Sequence, residues 1–120
     1  MTNKVTAEII RQLEKVGYKF KYTGTRGYIV IPTYADVFMF LLEKGYYLRV
    51  IQLYVELSDR TYYDNEVLDS KNNKLSSNKY KEFSTYHEAL HAGTVEALNI
   101  LENKQKWANM KLMSKLNESA

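Results

Sequence analysis

The chain has 120 residues, 45% of them apolar and 26% charged, and carries a formal net charge of +3, which suits one domain able to bury its own core. Cysteine is absent, excluding a disulfide framework and any cysteine-ligated zinc or iron–sulfur site. No apolar run approaches the ~20 residues of a membrane span, and no signal-peptide core follows Met1-Thr2-Asn3-Lys4, so a cytoplasmic protein is expected.

Thr6 is placed to cap a first helix over residues 7–16, whose Ile9, Ile10, Leu13 and Val16 fall on one stripe. Gly17 stops it. Tyr18, Lys19, Phe20, Lys21 and Tyr22 alternate as a strand or extended edge would. Gly24 to Gly27 reads as a turn, and Tyr28 to Ile31 as a short apolar strand ended by Pro32. Thr33 and Asp36 resemble a capping box, with aspartate in the usual glutamate place. The helix they open runs through Val37, Phe38, Phe40, Leu41 and Leu42 to Lys44-Gly45. It is apolar over most of its surface, which predicts heavy burial.

Tyr47 to Leu57 predicts the longest strand. Tyr47, Ile51, Leu53, Val55 and Leu57 share one face with Arg49, and that face is expected to be core. Tyr46, Leu48, Val50, Gln52, Tyr54 and Glu56 form the other, expected to be partly exposed. A turn at Ser58-Asp59-Arg60 leads to a second strand over 61–68. Asn72-Asn73 suits a tight turn, because asparagine tolerates positive φ, and a third strand is expected over 75–83. A last helix begins at Ser84 or Thr85, with Thr85 and Glu88 as a capping box. Its small residues Ala89, Gly93 and Ala97 predict close packing on a sheet. Beyond Leu101, four lysines interleave with Trp107, Met110, Leu112, Met113 and Leu116, predicting a basic amphipathic helical tail.

These elements predict an α+β fold, in the order α-β-α-β-β-β-α, with a three-stranded antiparallel meander packed against helices. Residues 1–103 form the expected domain and 104–120 the tail. Charge is unevenly placed along it. Residues 1–58 carry eight basic and five acidic groups, 59–103 five and eight, and 104–120 four lysines and one glutamate. Tyrosine is abundant, with eleven copies; it fills strands and also enriches binding surfaces, since each ring has a polar tip.

Three constellations bear on chemistry. His87-Glu88-Ala89-Leu90-His91 matches H-E-x-x-H, in which two imidazoles one helical turn apart bind zinc and the glutamate activates the metal-bound water. A zinc hydrolase would use His87 and His91 as ligands and Glu88 as base. The chain holds only two histidines, so a third ligand must be a carboxylate, and Glu96 and Glu102 lie poorly placed on the same helix. The alternative role for Glu88 is helix capping. The order of helix, three strands and small-residue helix also parallels double-stranded-RNA-binding domains. There Tyr86, His87 and Glu88 stand where those domains carry lysines, and a glutamate repels phosphate. Third, Lys15, Tyr18, Lys19, Phe20, Lys21, Tyr22 and Arg26 mix cations with stacking faces, as single-stranded nucleic acid requires. An amphipathic edge strand with snorkelling lysines gives the same pattern. No phosphate cradle, cysteine nucleophile or Gly-x-Ser-x-Gly elbow is present.

Pro32-Thr33 with its apolar helix ending Glu43-Lys44-Gly45, the tyrosine-rich strand after it, and Phe83-Ser84-Thr85-Tyr86-His87-Glu88-Ala89-Leu90 with Gly93 and Ala97-Leu98 together resemble a group of small uncharacterised proteins encoded by phages and prophages of gut bacteria. The resemblance covers about residues 7–101 and implies a bacterial cytoplasm and a mobile-element setting. It transfers no catalytic residue, and that group often carries acids where this chain has His87 and His91.

The expected function is therefore that of a non-enzymatic adaptor without cofactor. It would bind a protein, or a second copy of itself, through the tyrosine-bearing sheet face (Tyr46, Tyr54) and the basic tail (Lys104, Lys106, Trp107, Lys111). The alternatives are a nucleic-acid binder using Lys19, Lys21 and Arg26, and the zinc hydrolase.

Overall fold

A computed structural model describes residues 3–24, 27–76 and 82–118. Thr6 caps α1 (Ala7–Lys15) through its side-chain oxygen, which accepts from the Ile9 N–H. Ile9 and Leu13 are fully buried, so the stripe read from the sequence is the face that enters the core. Gly17 follows at φ +83°, a conformation that suits a residue without Cβ.

The segment after it forms a strand only at its end. β1 (Tyr22–Thr23) pairs antiparallel with β2 (Tyr28–Ile29) in a two-residue ladder. The expected strand over 18–22 is corrected, because the preceding aromatics serve the core instead. The Tyr18 ring meets Phe20 edge-on at 4.9 Å and Phe40 at 5.2 Å.

α2 (Tyr34–Glu43) opens with a complete capping box: the Asp36 N–H donates to the Thr33 hydroxyl, and the Asp36 carboxylate accepts from the Thr33 N–H. These bonds hold the Asp36 carboxyl below the usual carboxylate range. A depressed folded-state value means stabilisation that is present above the unfolded value, about pH 4, and lost as pH falls below it. Asp36→Asn is expected to flatten that part of the acid limb, measured as melting temperature against pH beside the unaltered protein. Val37 and Leu41 are fully buried, but Met39 and Leu42 are exposed. The expectation of burial over most of this helix is thus corrected, since neighbours cover only one side.

β3 (Tyr46–Val55) and β4 (Arg60–Asp69) form a ten-residue antiparallel hairpin, with Leu48 opposite Val67 and Arg49 opposite Glu66. A single 3₁₀ turn and Asp59 at φ +49° join them. Over the first four residues of β3 the faces are the reverse of those expected, while toward the tip Gln52 and Tyr54 are exposed and Leu53 and Val55 half-buried. Tyr46 and Leu48 are buried, whereas Tyr47 is 42% exposed. The outer face instead carries the Arg49–Glu66 ion pair. Among the described residues the expected three-stranded meander is not seen, and this sheet is the β3–β4 pair. Asn72 does take positive φ, and the chain then meets β4 at two isolated bridges, Leu68 with Lys74 and Tyr63 with Phe83. Eight residues lie between Lys74 and Phe83, against four between their partners on β4, so no single register joins the two bridges. Much of the stretch between them, residues 77–81, lies outside the described residues.

α3 (Tyr86–Glu118) has 33 residues, about 50 Å of helix. Thr85 accepts from the Glu88 N–H at its start. Its first half lies on the inner face of the hairpin and against α1 and α2. Gly93 permits this approach: a Cβ there would stand 2.6 Å from Leu48 Cδ1 and 3.0 Å from Asn65 Cβ. Asn65 donates to the Ala89 carbonyl at 3.0 Å, and Gln12 to the Val95 carbonyl and Asn99 Oδ1. The core thus joins Ile9, Leu13, Val37, Leu41, Leu48, Val67, Ala97, Leu98 and Leu101. Gln105 donates to the Val16 carbonyl at the end of α1. The helix continues unbroken beyond it to Glu118, with every residue from Lys106 to Leu116 exposed.

Candidate functional site

Two places collect the residues that the sequence singles out. The first is the junction where α1, α2 and the N-terminal turns of α3 meet. His87 and His91 lie one turn apart on α3, and both face Tyr34 at the first position of α2. The Tyr34 ring stands edge-on to His87 at 5.2 Å and to His91 at 6.3 Å. Its hydroxyl lies 2.9 Å from His91 Nδ1, and His91 Nε2 lies 3.8 Å from a Glu8 carboxylate oxygen. Both nitrogens of His91 are therefore addressed by side chains of other helices. With imidazole neutral, Glu8 favours the proton on Nε2 and leaves Nδ1 to accept from Tyr34. Burial pushes the Tyr34 phenol up.

Glu88 is exposed and occupies the capping turn. Among the described residues, no three histidine, aspartate or glutamate side chains converge as a metal site. Both histidines pack against the one tyrosine. A hollow of about 590 Å³ beside it is lined by Asn3, Phe38, Tyr86, His87 and Leu90. Tyr34→Phe keeps the ring and removes the hydroxyl, and is expected to cost ~1 kcal/mol of stability in urea unfolding.

The basic front lies beside α2. Lys19 and Lys21 are exposed and line a hollow of about 410 Å³ together with Lys44, Asp36 and Glu43. Tyr18 and Phe20 are half-buried against the core, with Tyr18 still lining the hollow, and Tyr22 is 64% exposed. Arg26 lies outside the described residues.

The second place is the projecting end of α3. Trp107, Met110, Leu112, Met113 and Leu116 are between 57% and 64% exposed. Around them stand Lys104, Lys106 and Lys111, all exposed. The Lys104 ammonium sits 5.5 Å from the centre of the Tyr46 ring, and Lys106 pairs with Glu102 at 3.2 Å. Tyr46 itself is 4% exposed and is corrected from binding candidate to core residue: it lies on the sheet face that α3 covers. Tyr54, further along the same face, is 62% exposed and donates to the Asp59 carboxylate at 2.6 Å. The sheet face and the tail are therefore not one continuous tyrosine-bearing surface.

Met110, Leu112, Met113 and Leu116 were legible as an amphipathic repeat, but their exposure was not. The Tyr34–His91–Glu8 chain was missed, because its members are distant in sequence and carry no local signal. Among the described residues no helix is long and apolar enough to cross a membrane. No family model, curated protein or solved structure matches the chain.

Proposed function

We propose that this chain is a non-enzymatic protein-binding module, acting in a bacterial cytoplasm, whose working surface is the C-terminal part of α3. One observation carries the reading: five large apolar side chains project beyond the contact between Gln105 and α1. Exposed apolar groups gathered in this way mark interaction surfaces in soluble proteins, and tryptophan and methionine are enriched among interface anchors. Tyr54 at the hairpin tip is a secondary contact.

The test pairs the unaltered chain with Leu112→Asp/Leu116→Asp. Both substituted positions are exposed, so the variant is expected to keep its circular dichroism and melting temperature. Immobilised on beads, the unaltered chain should retain a discrete protein from nuclease-treated bacterial lysate at moderate salt, and the variant should not. Equal retention by both would overturn the reading. Retention abolished by nuclease would move it to nucleic acid, where affinity depends steeply on salt.

A further inference from the structure

Resting on that reading, we infer that the partner is an acidic protein with an apolar channel that encloses the end of α3 on more than one side. The directions in which the apolar side chains leave the helix support this. At 3.6 residues per turn, Trp107 and Leu116 point about 180° apart, and Met113 about 120° from Trp107. Lys104, Lys111 and Lys115 stand within about 40° of one another, between the directions of Trp107 and Leu112, whereas Lys106 points into the apolar arc near Met113 and is paired with Glu102. A bilayer surface touches a helix from one side and buries one apolar face. It would leave either Trp107 or Leu116 in water. A channel walled on several sides covers both, as when an amphipathic helix enters a groove.

Charge argues for the chemistry of the walls. Residues 104–120 carry four lysines and one glutamate. Two copies of this segment laid together would place like charges side by side, which disfavours a second copy as occupant. Carboxylates at the rim of the channel would meet the lysine strip and speed encounter. Nucleic acid would satisfy the lysines and leave the leucine and methionine side chains uncovered.

Trp107 is the chain's one tryptophan, so its fluorescence reports this surface alone. Calmodulin serves as a probe of the stated chemistry: it is acidic with or without calcium, but opens its methionine-rich apolar groove when calcium is bound. With calcium-loaded calmodulin, Trp107 emission is expected to shift to the blue, with affinity weakened by about tenfold or more in Leu116→Asp and in Lys111→Glu. In EGTA the shift should vanish. An equal shift in EGTA would overturn the inference, because charge alone would then suffice. A shift with vesicles of phosphatidylcholine and phosphatidylserine, and none with calmodulin, would replace the channel by a lipid surface. No shift with either probe would also overturn the channel. The protein-binding reading would still stand if the tail-dependent retention from lysate persists, so the two can fail separately.

Discussion

Leu98→Ala is expected to lower the unfolding free energy by ~3 kcal/mol, whereas Leu112→Ala on the same helix should change it by less than ~0.5 kcal/mol. The two substitutions alter helix propensity equally. They differ only in surroundings. Leu98 is fully buried among residues from the other helices and the hairpin, while Leu112, about four turns further along, is 58% exposed. Removing Leu98 loses transfer free energy and leaves a cavity that closely packed neighbours fill incompletely. Urea unfolding with an unchanged slope would read both values. A comparable loss at both positions would mean that the end of α3 folds back onto the body.

The second large effect is at Gly93, where two principles oppose each other. In an exposed helix, glycine to alanine raises stability by ~1 kcal/mol. Here the added Cβ meets Leu48 Cδ1 at 2.6 Å and Asn65 Cβ and Cγ at 3.0 and 3.1 Å. The leucine methyl can rotate aside. Asn65 cannot readily, because it is 8% exposed and its amide is bonded to the Ala89 carbonyl of the same helix. Overpacking of this kind costs ~1–3 kcal/mol, so Gly93→Ala is expected to be destabilising by ~1–2 kcal/mol net. The check is a double-mutant cycle with Asn65→Gly, which removes the side chain that cannot give way and in which the penalty should shrink. A stabilising Gly93→Ala would show that helix and hairpin are further apart than described.

Both expectations bear on function, because they separate the scaffold from the surface it carries. The first half of α3 is fixed by Gly93, Leu98 and Leu101. The second half inherits its direction from that anchorage, as one continuous helix. Variants of the projecting end can therefore change recognition without unfolding the body, and variants at the junction of Tyr34, His91 and Glu8 should do the reverse.

The sequence by itself determined the features that depend on near neighbours. Thr6 and the Thr33–Asp36 box act within one turn, Gly17 needs only its own φ, and Asn72 tolerates the turn it was expected to make. The α+β class and the helical character of the tail follow from periodicities of the same short range. What only tertiary structure decided is what lies opposite. At the start of β3 the more apolar face turned outward, because α3 with its glycine covers the side bearing Tyr46 and Leu48. Two histidines with metal-ligand spacing became neighbours of one tyrosine, because α2 delivers Tyr34 there. Beyond the bond from Gln105 to Val16, the side chains from Lys106 to Leu116 are exposed, which their own periodicity does not show. Burial and pairing are properties of partners far along the chain, and a local pattern carries no record of which partner arrives.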